Sequence, residues 1–369
     1  MTCPHCAAKL PAKERTGQVC SRCAKRFALD PRIHGRGMND LRIRRIAAEA
    51  TESGRLRMTV TQLWYLSRTY SSCRVAKPAR GIRAGVRWLV AAPLALLLLV
   101  AGALTHGPPG TIAVTVTAAV AVVVAASVMR YRPAEAPRSY ISPAEGEFRQ
   151  MMAGPWQAAY RKLPPGVADD GPRAPAPREA PVDRPEAVIL CTDHAVAVFL
   201  RVNGIPAKLK ALLVEARPSA AHEALVDVPE GLPVVVLHDA STLGALLAPL
   251  LRQAYPDRVV LDAGLPAAAV RTRRGAVHRV AKAPGASAAD LRSVAGLSEA
   301  DAAWLAQGFW SPLAAVPPRR LEAVVTAAVR QARAARTAGL RSPDGFLSWP
   351  AEPPAPVGGT SRTKGAPAG

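Results

Sequence analysis

The chain has 369 residues, enough for two or three compact units. Its net charge of +21 points to anionic partners such as lipid, nucleic acid or an acidic protein, with part of that charge serving as solvated surface and membrane orientation. Aromatic residues make up only 5 %, which leaves base-stacking platforms of the single-strand-binding kind poorly supplied.

At the N-terminus, Cys3-Pro-His-Cys6 and Cys20-Ser-Arg-Cys23 form two CxxC pairs separated by 13 residues. Four thiolates at this spacing can close a tetrahedral Zn²⁺ site, with two knuckles facing one another. A closed site of this kind is structural, and its metal supplies folding energy to a segment too small for its own core. His5 lies between ligands as a possible substitute for one of them. Residues 1–30 resemble the zinc-ribbon family, and that resemblance implies a module that binds nucleic acid or protein. The remaining cysteines, Cys73 and Cys191, stand alone. The first 30 residues hold no apolar run of the signal-peptide type, so the N-terminus is expected in the cytosol.

Residues 39–74 read as a basic helical segment. Leu41, Ile43, Ile46, Ala47 and Ala50 make a helical face, with Asn39 or Asp40 as cap and Gly54 as stop. A second helix is predicted from the capping-box pattern Thr59-Val-Thr-Gln62 through LWYLSRTY. Met1 to Arg87 holds 19 Lys and Arg against 5 Asp and Glu, a net +14 of the chain's +21. The stretch TVTQLWYLSR is similar to a helix in the winged-helix parts of topoisomerase VI-type proteins, which implies contact with nucleic acid. The same charge can instead hold the segment against anionic lipid, or simply be solvated.

Two uncharged runs follow, WLVAAPLALLLLVAGALT at 88–105 and TIAVTVTAAVAVVVAASVM at 111–129. At ~1.5 Å per residue each spans about 27–29 Å, the thickness of a bilayer core. Gly107-Pro108-Pro109-Gly110 reverses the chain between them, making a transmembrane hairpin over 88–129. Arg80, Arg83 and Arg87 precede the hairpin and Arg130 and Arg132 follow it, while the turn carries no Lys or Arg. The positive-inside rule then places both termini in the cytoplasm of a two-span cell-membrane protein, with Trp88 and Tyr131 at the interface. Neither span holds an ionisable group, which favours an anchor over an ion pathway. Pro93 is expected to bend the first helix, and small residues in the second allow close packing.

Residues 133–185 combine an amphipathic stretch, EGEFRQMMAGPWQAAYRK, with a Pro-rich linker from 163. Residues 186–340 read as a cytosolic α/β domain. Strands are predicted at 187–191 (AVILC), 234–237 (VVVL) and 259–261, with helices at LGALLAPLLRQA, 298–307 and 319–336. Asp193-His194 and His238-Asp239 follow the first two strands and Asp262 the third, at the edge where open α/β sheets collect ligand-binding residues. Asp193, His194, His238 and Asp239 are the candidate catalytic residues, and helix capping is the competing role for the aspartates. Cys191 at a strand end reads as a buried thiol. No GxGxxG, Walker A, GxSxG or HExxH motif occurs. Residues 343–369 read as a disordered tail.

The segment VVVLHDASTLG is similar to the second acidic motif of Toprim domains, the Mg²⁺-binding fold of topoisomerases and primases. Asp239 matches the motif's first Asp and Gly244 its Gly, but Ser241 replaces the second Asp, and no Glu follows the first strand in register. One carboxylate is too few to hold Mg²⁺ between phosphates.

The expected architecture is therefore multi-part: a zinc ribbon with short helices, a two-helix transmembrane hairpin, and an α/β domain with a mostly parallel sheet. The expected function is that of a membrane-anchored, zinc-binding, non-enzymatic binding or scaffold protein of the cytoplasmic face, engaging nucleic acid or a protein. Two alternatives stand beside it. One is a metal-dependent phosphoryl-transfer or nuclease-like enzyme using Asp193, His194, His238 and Asp239. The other is a membrane-surface regulatory protein without nucleic-acid affinity.

Overall fold

The computed structural model describes residues 1–35, 37–71, 84–104, 109–128, 140–175, 177, 180–272, 276–280 and 285–339. The Gly107-Pro108 part of the expected turn lies outside these residues. So do Cys73, the arginines at 80, 83, 130 and 132, Tyr131, and the expected 343–369 tail. The chain divides into two units: Met1–Thr69 together with the chain from Pro143 onward, and Tyr70–Ser142.

The centre of the first unit is a four-stranded sheet: β1 (Ala187–Cys191), β2 (Ala211–Glu215), β3 (Val234–Leu237) and β4 (Val260–Asp262). All neighbours are parallel and the order is β2-β1-β3-β4. Every residue of β1, β3 and β4 is buried, as parallel strands covered on both faces require. Alternate side chains divide between two layers. Ile189, Val235 and Leu261 meet Val196, Phe199, Val325 and Val329 on one face. Val188, Val234, Val236 and Val260 meet Leu247, Leu251 and Leu225 on the other. The covering helices are His194–Val202, Thr242–Ala254 and Pro318–Thr337, in a three-layer α/β/α arrangement. The mostly parallel sheet expected from sequence is present. β2 is the strand the pattern missed: it is a half-buried edge whose apolar run ALLV is closed by Lys210 and Glu215.

The N-terminal segment belongs to this same unit. Helix Asp40–Ala50 is capped by Asn39, whose side chain accepts from the Arg42 amide. Helix Val60–Ser67 carries a full Thr59/Gln62 capping box. Met58–Thr59 pairs in parallel with Val167–Ala168, and Arg57 exchanges hydrogen bonds with the Asn203 side chain at 2.7 and 2.9 Å. The sequence reading set 39–74 and 133–185 apart from 186–340, and the described parts of all three pack together. Buried ion-pair chemistry explains the difference. Asp170, 3 % exposed and inside the Pro-rich stretch, receives the Arg149 guanidinium at 3.1–3.2 Å, and Arg149 also bonds Thr61. Trp64 Nε1 donates to the Pro143 carbonyl at 2.9 Å, joining the residues on either side of the hairpin.

The second unit holds two helices, Ala84–Leu104 and Pro109–Val128, both long and apolar enough to cross a membrane. Their contact is lined by small residues. Ala91 and Ala95 on the first helix and Ala119 and Ala126 on the second are all buried. At Gly102 an added Cβ would lie 2.3 Å from Thr115 Oγ1, so only glycine permits that approach. Thr115, Thr117 and Ser127 donate to carbonyls of their own helix, which satisfies these hydroxyls within the apolar surface. The large side chains, Leu89, Leu96, Leu97, Val114 and Val128 among them, face outward. Short strands Thr69–Ser71 and Tyr140–Ser142 pair where the chain enters and leaves this unit.

Candidate functional site

Cys3, Cys6, Cys20 and Cys23 come together, all four sulfurs lying within 4.8 Å of one another. Cys3 Sγ and Cys23 Sγ are 3.9 Å apart, and Cys6 Sγ and Cys20 Sγ 3.8 Å. A tetrahedral ion with metal–sulfur bonds of about 2.3 Å requires sulfur–sulfur spacings of about 3.8 Å. The donor set therefore fits a four-thiolate metal site.

Two matching turns produce the cluster. The Ala7 amide donates to the Cys3 carbonyl at 3.1 Å, and the Ala24 amide to the Cys20 carbonyl at 2.9 Å. Each turn is closed by an antiparallel bridge, Thr2 with Lys9 and Val19 with Arg26. Ala7 and Ala24 sit at φ 58° and 54°, a left-handed conformation that glycine adopts more cheaply. Backbone amides of Cys23 and Arg22 pull the Cys20 thiol down to about 7, which favours the thiolate. Leu10 and Phe27 form the small core beneath. His5 is not among the clustered donors, and its Nε2 meets the Arg26 carbonyl at 2.8 Å.

A buried carboxylate joins this four-cysteine segment to the rest of the unit. Asp40 accepts from the Ala28 and Leu29 amides at 2.8 and 2.7 Å and also from the Tyr160 hydroxyl. Arg44 lies over the Tyr160 ring at 4.2 Å.

The second place of interest is the carboxyl edge of the sheet. The strand order reverses direction between β1 and β3, the position at which open α/β sheets bind ligands. Cys191 and Leu237 are paired in register, and Asp193 and Asp239 each lie two residues beyond. Asp193 caps helix His194–Val202 by accepting from the Val196 amide at 3.2 Å, and its other oxygen accepts from Ala314 at 3.2 Å. Asp239 accepts from the neighbouring amide, Leu313, at 2.7 Å. Burial, followed by the Asp193 charge, pushes the Asp239 carboxyl up to about 7. Burial also raises Asp193.

The other two candidate residues do not join the pair in the same way. His238 is 1 % exposed and lies behind it, with Nε2 3.0 Å from Asp262 Oδ1 and Nδ1 2.8 Å from the Asp239 carbonyl. An acceptor at each ring nitrogen suits the imidazolium. Burial opposes that charge, but Asp262 and the Asp239 carbonyl outweigh it, so His238 is raised. Burial likewise opposes the Asp262 carboxylate, and His238 outweighs that, so Asp262 is lowered. His194 turns outward, 2.6 Å from Glu215 Oε1, and Glu215 is also held by Arg201. Cys191 is fully buried, with its thiol pushed up by that burial.

Sequence reasoning placed Asp262 at the end of the third strand, on the same edge, but did not pair it with His238. It also missed the contributions from distant segments. Tyr65, from helix Val60–Ser67, feels the charges of both Asp193 and Asp239, and its hydroxyl lies 3.4 Å from His278 Nε2. The Leu313 and Ala314 amides left no signal in composition.

The residues matched to the Toprim motif have local roles here. Ser241 caps helix Thr242–Ala254 by accepting from Gly244 at 3.0 Å. At Gly244 a Cβ would lie 2.3 Å from the Asp239 carbonyl and 2.6 Å from His238 Nδ1, so glycine is required for close packing. Comparison with protein-family models, with curated proteins and with solved structures gave no match, so no family match supports the Toprim resemblance.

Proposed function

We propose that this chain is a membrane-anchored, zinc-stabilised binding or scaffold protein of the cytoplasmic face, without catalytic activity, whose ribbon engages a polyanionic partner, with nucleic acid the first candidate. The observation that carries this reading is the ribbon surface. Lys9, Lys13, Arg22, Lys25, Arg26 and Arg32 are exposed, while among the described residues 1–39 neither acidic side chain is: Asp30 is buried and Glu14 half-buried. Such a surface neutralises phosphates and leaves bases unread, because Phe27, the ribbon's aromatic side chain, lies in its core.

Zinc is the proposed ion, because four thiolates in a closed tetrahedron suit it. The two apolar helices are the proposed anchor, and their arginine flanks support a cytoplasmic position for both ends. At the sheet edge the aspartates are engaged by the chain's own amides, which supports a binding role over a catalytic one.

The test uses the full chain in lipid nanodiscs, with duplex DNA, duplex RNA and protein-free anionic nanodiscs as separate arms. Six phosphate contacts imply an affinity loss on the order of 10³-fold between 50 and 200 mM salt. We expect that slope with nucleic acid, its loss in Cys20→Ser, and one zinc per chain in the wild type. Absence of salt-dependent binding to nucleic acid would sink the partner assignment, and a metal-free wild-type protein the zinc assignment.

A second reading rests on the raised proton affinity of Asp239, which is suited to acid–base work in a metal-dependent phosphoryl-transfer enzyme. Mg²⁺ titration of the same preparation with an Asp239→Ala control decides it: Asp239-dependent binding or turnover supports it, and neither removes it.

A further inference from the structure

A cavity of about 390 Å³ lies beside the four-cysteine segment, at the small end of the range of ligand sites. Trp156, Tyr160, Leu163 and Pro164 make its apolar wall, and Arg44 and Lys162 supply its charge. Local geometry builds it. Trp156 and Tyr160 are four residues apart and share a helical face, with ring centroids 4.9 Å apart. Arg161, at φ 64°, reverses the chain, and Trp156 Nε1 donates to the Lys162 carbonyl at 3.1 Å, which fixes the returning segment. The Tyr160 hydroxyl is held by Asp40. Arg44, one turn beyond Asp40 on the helix Asp40–Ala50, places its guanidinium carbon 4.2 Å from the Tyr160 ring centroid and 5.9 Å from that of Trp156.

Arg44 is half-buried. Its neighbour Arg45 pairs with Glu49, whereas Arg44 forms no ion pair among the described residues. A guanidinium laid on a ring is flat, weakly hydrated and always charged, so it suits a second π-system that carries negative charge beside it. A nucleotide with an unpaired base has that chemistry: its base stacks on aromatic rings and guanidinium planes, and its phosphate pairs with a cation. A duplex keeps its base faces stacked inside and cannot offer one. The cavity also continues the basic surface described above. The Tyr160 ring lies 5.8 Å from that of His5, and His5 Nε2 meets the carbonyl of Arg26, one of the exposed cations. The polar atoms of the two aromatic residues are already engaged, by Lys162 and by Asp40, so they read no base edge and stacking here tolerates any base.

We propose that this cavity takes the base of an unpaired nucleotide, stacked on the Arg44–Tyr160 pair with its phosphate against Lys162, so that single-stranded ends are preferred to blunt duplex. The inference rests on the nucleic-acid reading above and names the form of nucleic acid bound.

Binding of the full chain in nanodiscs to three DNA duplexes tests it. One is blunt, one carries a short abasic overhang, and one carries the same overhang with 2-aminopurine, whose fluorescence falls on stacking. The base should tighten binding about tenfold over the abasic overhang, with quenched fluorescence. Arg44→Lys keeps the charge and loses the plane, and should remove both the gain and the quenching. Ala48→Leu adds bulk to the cavity lining from an exposed helical position; it should also remove both, and blunt-duplex binding should persist. Blunt-duplex binding with no gain from the base overturns this inference alone, and no binding to any of the three overturns the nucleic-acid reading as well. A gain that survives in both folded variants overturns the inference. So does a gain erased by anionic lipid vesicles while blunt-duplex binding persists, which assigns the cavity to lipid headgroups.

Discussion

At the scale of single residues, glycine is placed where two polar groups must approach a buried ring. At Gly264 a Cβ would lie 2.1 Å from His238 Nε2, inside the ion pair with Asp262. Gly264→Ala forces the ring off its partner, and we expect it to cost about 3 kcal/mol, read as a lowered urea midpoint by tryptophan fluorescence. An unchanged midpoint would mean that the pair is not held by shape. This is also the scale at which the sequence is read least evenly. The four cysteines are legible because metal ligation is local and its spacing is short. Asp193 and Asp239 are legible because they follow apolar strands. Asp262 is legible in the same way, though its pairing with His238 is not, and Tyr65 and the amides of Leu313 and Ala314 are not legible, because tertiary proximity brings them to the edge from distant segments. His194 and His238 look equivalent in sequence, yet one turns to Glu215 at the surface and the other is sealed against Asp262.

At the scale of elements, three of the four parallel strands, the capped helices and the two apolar helices follow closely from pattern, because each obeys its own local period. The ends shift by one residue at the third predicted strand, found at Val260–Asp262. What pattern does not give is which elements join. The Pro-rich stretch read as linker because its composition is that of linkers, while one buried aspartate, Asp170, ties it to Arg149. In the apolar pair, helix contact depends on small side chains, and Gly102 is the tightest point. Gly102→Leu should weaken pairing by roughly 1 kcal/mol, about fivefold. Disulfide crosslinking between Ala91→Cys and Ala126→Cys, both at buried positions, measures it. An undiminished yield would remove the close-packing account.

At the scale of the whole molecule, three buried groups give stability a definite pH dependence. Asp239 and His238 have raised folded values, so each contributes stability that is complete below its unfolded value and lost as pH rises through the folded one. Asp262 is lowered, so its contribution is present above the unfolded carboxylate value and lost as pH falls through the folded one. The thermal midpoint of the first unit should therefore be highest in mildly acidic buffer. It should decline from the unfolded carboxylate value up to about pH 7 as Asp239 loses its proton, and further above about pH 6.5 as His238 loses its own. His238→Gln should flatten part of that decline, and a midpoint that rises steadily to pH 8 would contradict the assignment.

The division of the chain has a temporal side. The first unit needs Met1–Thr69 and the chain beyond Pro143, yet the apolar pair is encoded between them. A ribosome working at roughly 5–20 residues per second completes the 73 intervening residues only after several seconds. During that interval the four cysteines can gather alone, but Met58–Thr59 lacks its partner strand Val167–Ala168 and Trp64 lacks the Pro143 carbonyl. Synthesis of the apolar pair therefore comes before closure of the α/β core, and a nascent chain stalled before Pro143 leaves the buried face of helix Val60–Ser67 uncovered.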